Sequence, residues 1–325
     1  MSRQVLLDCD PGHDDAVAIL LAAGSPEIEL LGITTVAGNQ TLDKTTRNAL
    51  AVATIGGIGD VPVAAGHDRP LVRSQRTAPA FHGESGLDGP APVVPDREPR
   101  PGHAVDCIVE TIMSAPGEVT LVATGPLTNV ASALRREPRI AEAARELVVM
   151  GGAYGRGNVT QTAEFNVFVD PEAAAIAFGA PWSVTMVGLD LTHQAGCTEE
   201  VQRRIGRIGT PVARFTVEML EFFRRAYRRE KGLEDPPLHD PCAVAYVIAP
   251  DIFETRPAGI EVELAGTLTA GTTVVHFAGP GAAGSSAGSA AGGTTCPDAQ
   301  RHRVPVRIDA GVMFDMIVDA IERLG

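Results

Sequence analysis

Four aspartates fall within eight positions of the stretch "LLDCDPGHDDAVAILLAAG", residues 6–24: Asp8, Asp10, Asp14 and Asp15. Carboxylates this close repel one another unless water screens them or a cation sits among them. Two chemistries therefore compete for the segment, a solvated turn that opens a helix and a cation site. Aspartates one residue apart reach the same ion only where the backbone curls, and Gly12 after Pro11 permits that turn. Hard oxygen donors of this type suit Ca²⁺ or Mg²⁺ rather than zinc.

Two further stretches carry groups of the same kind. In "PPLHDPCAVAYVIAP", His239 and Asp240 open a helix, with Asp240 as its cap and Pro241 in the first helical position. An aspartate that caps through one oxygen still offers the other to a metal. In "GRGNVTQTAEFNVFVDPEAA", Asn158, Glu164 and Asn166 lie among turn-forming and extended residues. A polar loop has this composition. Amides and a carboxylate are also the groups that hydrogen-bond sugar hydroxyls, and Phe165 between them is suited to wall an apolar ring.

These side chains need elements that bring them together. Strand-like runs ("QVLLDC", "IELLGITTVAG", "VPVAAG", "EVTLVATG", "ELVVMGG", "WSVTMVGLD") alternate with helical ones along most of the chain. The helical segments include "DDAVAILLAA", acidic at its start, and "TLDKTTRNALAVATI" with Thr41 as its cap. Residues 209–233 read as one long amphipathic helix, and the C-terminal segment as a strand and a closing helix. The pattern predicts an α/β fold, a single domain over residues 1–325 with a mostly parallel central sheet covered by helices on both faces. Ligands of such sheets sit beyond the carboxyl ends of the strands. Asp8, Asp10, Asn39, Thr124 and Asp190 are expected there. Two stretches break the rhythm. Residues 66–102, proline-rich and holding "FHGESGLDGP", read as a lid or binding loop, and 279–302 as a flexible Gly/Ala/Ser insertion.

A net charge of −13 argues against nucleic acid or an anionic membrane as the partner. Five scattered cysteines, Cys9, Cys107, Cys197, Cys242 and Cys296, show neither zinc spacing nor a disulfide framework. With no signal-type start and no apolar run of about 18 residues, the cytoplasm is the expected location.

Eight segments in order, "DCDPGHDDAVAILLA", "TTVAGN", "TRNAL", "HGESGLDG", "ATGPLTN", "MGGA", "AEFNVFVDPEAA" and "HDPCAVAY", together resemble the inosine–uridine-preferring nucleoside hydrolases. The resemblance spans residues 3–278 and 303–325. It implies a Rossmann-like core and Ca²⁺-dependent hydrolysis of the N-glycosidic bond of ribonucleosides (uridine, cytidine, inosine) to free base and ribose. By the same resemblance Asp10, Asp15, the Thr124 carbonyl and Asp240 would bind the metal, and Asp14 would be the general base. Asn39, Asn158, Glu164 and Asn166 would grip the ribose beside Met150 and Phe165. His82 and His239 would assist the departing base, with Tyr227 within reach of it, and Asp8 would stand behind the ligands. A histidine titrating near its ordinary range protonates a leaving group at pH 7. The His82–His239 pair is similar to the pyrimidine or mixed-specificity branch, and the single tryptophan, Trp182, is expected in a core strand.

The segment "TLTAGTTVVHFAGPGA" departs from the family pattern, which carries an acidic residue near His276, and is expected to be peripheral to the ribose site. The partners expected are a small ribonucleoside and further copies of the chain in a tetramer or dimer. Two other readings compete. One is a non-catalytic nucleoside- or ribose-binding protein on the same scaffold. The other is a Mg²⁺-dependent phosphatase of the haloacid dehalogenase type with Asp8 as nucleophile, against which stands "DCDPGHDD" where those enzymes usually continue with "GT".

Overall fold

The computed structural model describes residues 2–278 and 301–325. β1 (Arg3–Cys9) leads into α1 (His13–Gly24), then β2 (Ile28–Thr35), α2 (Leu42–Ile55) and β3 (Val63–Ala65). A short α3 (Pro79–His82) and α4 (Ala104–Ser114) precede β4 (Val119–Ala123), α5 (Thr128–Arg136), α6 (Ile140–Ala143) and β5 (Glu146–Met150). Next come α7 (Phe165–Val169), α8 (Pro171–Gly179), β6 (Val184–Val187) and α9 (Leu189–Thr192). They are followed by α10 (Glu199–Ile208), α11 (Pro211–Lys231) and α12 (His239–Ile248). The chain closes with β7 (Phe253–Val262), β8 (Thr273–Phe277), β9 (His302–Ile308) and α13 (Ala310–Leu324).

Among the described residues nine strands form one sheet in the order β3-β2-β1-β4-β5-β6-β9-β7-β8. Neighbours from β3 through β9 are parallel, and β7 is antiparallel to both β9 and β8. The alternation of strands and helices in the sequence accounts for the parallel part. The β7–β8 pair adds to it. A register shift between Glu254 and Thr255 breaks the two-residue period of β7, and Pro257 gives up a ladder donor, so the segment lacks a plain strand signature.

Side chains of β1 alternate between two apolar layers. Val5, Leu7 and Cys9 pack with α1, α2, α11, α12 and α13, whereas Leu6 packs with α4, α5 and α8 on the other face. A sheet covered on both sides can carry continuous apolar strands, which is what β1 and β4 are. α1 is apolar nearly all round because α2, α12, α13 and the sheet enclose it. That enclosure fixes the N-terminus of α1, and with it Asp14 and Asp15, at the carboxyl end of the sheet.

Local departures from the sequence reading have simple causes. Thr41 takes the N-cap position of α2, but its hydroxyl makes no capping bond. Trp182 precedes β6, and its indole N–H donates to the Ala177 carbonyl at 2.8 Å, holding the ring in the layer beneath α8. His302, which the composition assigns to the end of the insertion, is the first residue of β9, and residues 279–300 lie outside the described residues, as does Cys296. Cys9, Cys107, Cys197 and Cys242 are free, buried thiols. No helix among the described residues is long and apolar enough to cross a membrane.

Candidate active site

Asp10 directly follows β1, Asp14 and Asp15 stand in the first turn of α1, and Asp240 in the first turn of α12. All four are buried. One carboxylate oxygen from each of Asp14, Asp15 and Asp240 lies within 4.8 Å of the other two. Asp240 was expected to cap its helix. It occupies the second helical position instead, with Leu238 at the N-cap, so its carboxylate is available to the cluster. The positive ends of two helix dipoles, α1 and α12, thus serve the same acidic group.

Hydrogen bonds fix these carboxylates. Asp15 Oδ1 accepts from Thr124 Oγ1 (2.9 Å), and Oδ2 accepts from the Gly12 N–H (3.0 Å) and Asn39 Nδ2 (3.2 Å). Asp10 lies outside the tight trio. Its Oδ2 accepts from the Asn39 N–H at 2.6 Å, while its buried Oδ1 has no hydrogen-bond partner among the described residues. Burial drives the whole group up from the ordinary carboxylate range. Asp10 and Asp240 stand well above it, Asp15 is raised, and Asp14 is pushed to about 7, with repulsion from Asp15 adding to its burial.

Buried charges of one sign are costly without a partner. An all-oxygen donor set, mutual proximity and the orphaned Asp10 Oδ1 together fit a hard divalent cation. Two glycines leave room for Asp10: a Cβ on Gly38 would stand 2.0 Å from Asp10 Oδ2, and one on Gly125 2.7 Å from Oδ1. Gly38→Ala is therefore expected to displace the carboxylate and weaken cation affinity by about 10–100-fold. Calorimetric titration with Ca²⁺ checks this, and unchanged affinity would show that Asp10 is not needed where it stands.

Asp8 belongs to a different environment. Its Oδ1 accepts from Thr34 Oγ1 on β2 (2.6 Å) and from Asn129 Nδ2 in the first turn of α5 (2.8 Å), and burial raises it to about 7. Asp8 does not line the cavity beside the other carboxylates, which removes the nucleophile that a phosphatase reading requires.

Beside the carboxylates opens a cavity of about 500 Å³. Asp14, Asp240, Asn39 and Thr124 line it, whereas Asp10 and Asp15 do not. Met150, Asn158, Glu164, Phe165 and Asn166 form another part of its wall. The segment around Glu164 is helical rather than extended from Phe165 onward, because Glu164 is the N-cap of α7. Its carboxylate accepts from the N–H groups of Asn166 (2.8 Å), Val167 (3.1 Å) and Gly152 (2.9 Å). Asn166 Nδ2 donates to the carbonyls of Thr124 (2.7 Å) and Met150 (3.1 Å), tying the ends of β4 and β5 together. Asn158 Oδ1 is buried without a partner among the described residues, an acceptor suited to a ligand hydroxyl.

The segment after Leu268 is not wholly peripheral. Thr273 Oγ1 donates to the Ala153 carbonyl (2.6 Å) and accepts from the Ala153 N–H (2.8 Å), bracing the loop that carries Asn158. The acidic residue absent next to His276 in sequence is supplied across the strands by Glu261, 3.0 Å away.

His82, Tyr227 and His239 complete the wall. His239 Nε2 stands 3.1 Å from Tyr227 Oη, and His239 Nδ1 stands 2.7 Å from Thr192 Oγ1. His82 Nδ1 accepts from the backbone N–H of His13 at 3.2 Å. The histidine expected near its ordinary range is not found here: burial lowers His239 to about 3 and His82 well below its usual value. Both rings are neutral at pH 7, so neither is a standing imidazolium and each carries a single N–H. His13 is structural. It is fully buried, stacks on Phe222 and Phe223, and bonds the Asp88 carbonyl at 2.8 Å, which anchors the segment bearing His82. Phe81, Arg156, His193 and Lys231 also line the cavity. Single residues on loops or on the polar face of α11 give no sequence signal of this. The basic end of the long helix is the nearest hint for Lys231.

A metal-fitting carboxylate group, side-chain amides and neutral imidazole rings around one sheet-end cavity suit the metal-assisted hydrolysis of a small glycoside. Comparison with known proteins specifies the class. The family description "Inosine-uridine preferring nucleoside hydrolase" matches residues 5–314, and the chain belongs to that family, metal-dependent enzymes that hydrolyse the N-glycosidic bond of nucleosides. It is 47% identical to the inosine-uridine preferring nucleoside hydrolase of Crithidia fasciculata, over 100% of this chain and 99% of the relative. It is also 47% identical to a pyrimidine-specific ribonucleoside hydrolase of Citrobacter koseri, over 85% and 89%. Among solved structures, a purine-preferring ribonucleoside hydrolase from Gardnerella vaginalis superposes with a TM-score of 0.88 at 32% identity, covering 99% of each chain.

Proposed function

We propose that the protein is a Ca²⁺-dependent ribonucleoside hydrolase acting on uridine, cytidine or inosine and releasing free base and ribose. The observation that carries this reading is the joining of an acidic group, Asp14 and Asp240 among it, with sugar-type amides and the His82–Tyr227–His239 side chains around one cavity. Asp10, Asp15, Asp240 and the Thr124 carbonyl would hold the ion. A bound Ca²⁺ would orient the sugar and offset the carboxylate repulsion.

The chain's own residues supply the rest. Departure of the base builds positive charge on the ribose, and the surrounding carboxylates stabilise that charge where it forms. Asp14 takes the proton of the attacking water. Asn39, Asn158, Glu164 and Asn166 hold the ribose hydroxyls, with Met150 and Phe165 beside the sugar. Hydrogen bonds from His82, His239 and Tyr227 ease the release of an otherwise poor leaving group. Phe81 and the histidines, rather than an indole, surround the base, since Trp182 is buried beneath α8. This favours pyrimidine or mixed specificity.

The segment 66–102 acts in this reading as a lid, since it places Ala78, Phe81 and His82 on the cavity. A cytoplasmic homo-oligomer, dimer or tetramer, with no nucleic-acid or membrane partner, completes the proposal. Chromatography of base released from uridine, cytidine, inosine and adenosine, with Ca²⁺ and after chelation, tests it. Calcium-dependent release, pyrimidines or inosine ahead of adenosine, is the expected result. Binding of ribonucleosides without release over hours would overturn it in favour of a binding protein.

A further inference from the structure

Thr192, the last residue of α9, is fully buried, and its hydroxyl lies 2.7 Å from His239 Nδ1. A neutral imidazole has one donor and one acceptor nitrogen, and a hydroxyl can face either. Two arrangements are therefore open. In the first, His239 Nδ1–H donates to Thr192 and the cavity-side Nε2 is bare. In the second, Thr192 O–H donates to Nδ1 and Nε2 carries the proton.

The surroundings of Thr192 decide between them. In the first arrangement the hydroxyl hydrogen needs another acceptor. A helical threonine ordinarily turns to the carbonyl four residues back, here that of Gly188. That carbonyl already accepts from the N–H groups of Leu191 and Thr192, both at 3.1 Å. The hydroxyl has no other hydrogen bond among the described residues. The first arrangement thus leaves a fully buried O–H unsatisfied, and the second satisfies it. His239 Nε2–H then faces Tyr227 Oη at 3.1 Å, and the tyrosine hydroxyl hydrogen is free to point elsewhere in the cavity.

We propose that Thr192 is a positioning residue that locks His239 in the Nε2–H tautomer, so that the nitrogen facing the cavity is a hydrogen-bond donor. The inference deepens the proposed function and rests on it for the role of the donor, though not for the tautomer itself. Thr192 touches no substrate. It acts through His239, and its removal should matter only where the leaving group needs help.

The test combines two substrates, two variants and a spectroscopic readout. Thr192→Val removes the donor at nearly constant shape, and Thr192→Ser keeps it. With uridine or inosine, Thr192→Val is expected to lower kcat by about 10-fold, the equivalent of one hydrogen bond lost in the transition state, with KM within about twofold. With p-nitrophenyl β-D-riboside, whose anion leaves unaided, kcat should change less than about twofold. Thr192→Ser should restore the nucleoside rate. Equal losses on both substrates would mark a merely structural role and overturn the proposal, as would no loss on either. Nitrogen-15 NMR of histidine-labelled protein, with His239 assigned from its loss in His239→Gln, reads the tautomer without turnover. Nε2–H in the parent chain and a shift toward Nδ1–H in Thr192→Val are expected, and Nδ1–H in the parent would refute the lock. Absence of turnover by the parent chain on every nucleoside would defeat the proposed function while leaving this readout decisive.

Discussion

Asp14→Asn is expected to lower kcat on ribonucleosides by about 10²–10⁴-fold, the range for loss of a positioned general base. Of the four clustered aspartates only Asp14 and Asp240 line the cavity, while Asp10 and Asp15 stand behind them. Asp240 is held well above the carboxylate range by burial and by repulsion from Asp14, Asp15 and Asp10, which suits a ligand whose charge is released by a cation. Asp14 reaches the cavity, where a carboxylate kept ionised by a neighbouring cation can take the proton of a water. The amide of Asn is nearly isosteric but cannot accept the proton of water. The variant should therefore stay folded and keep its cation, measured as stoichiometric Ca²⁺ by calorimetry. A kcat loss below about tenfold would remove Asp14 from the role of base. Loss of the cation together with activity would make it a ligand.

What the sequence disclosed follows from how local each feature is. β1 and α1 share one short segment, so the apolar run, the glycine turn and the acidic first turn of the helix together announced the carboxylate site. Asp240 was legible as a partner because Pro241 marks a helix start, but not its exact place, since one residue separates a cap from a second helical position. Contacts between distant segments left no such mark. His13 meets His82 across 69 positions, and Thr192 meets His239 across 47. Thr192 reads as one more threonine after a strand until the fold closes. The histidine protonation states depart from the sequence expectation for a related reason. Sequence supplies the ordinary pKa, but full burial beside other neutral rings sets the actual one. The β7–β8 pair escaped because its bulge and Pro257 blur the period that identifies a strand.

Stripping the cation is expected to abolish turnover and to reverse the usual pH dependence of stability. Asp8 and Asp14 stand at about 7 in the folded, metal-free protein, against about 3.9 when unfolded. Asp10 and Asp240 are displaced further in the same direction. Between about pH 4 and 7 the folded state therefore holds protons that the unfolded state has lost. Stability then falls as pH rises, because unfolding releases these protons and high pH favours release. The raised pKa of one such group corresponds to roughly 4 kcal/mol across that window. At about 2 °C per kcal/mol for a chain of this size, the stripped protein should melt on the order of 5–10 °C higher at pH 5.5 than at pH 7.5. A cation held as proposed would require ionised Asp10, Asp15 and Asp240, so its stabilising effect would grow with pH and oppose this slope. Melting curves of Chelex-treated protein at the two pH values, with and without excess Ca²⁺, test the argument. The Ca²⁺-induced rise in Tm should be several times larger at pH 7.5 than at pH 5.5. A stripped protein that melts higher at pH 7.5 would mean that these carboxylates are ionised in the fold without an ion, and the reason for placing a cation among them would be gone.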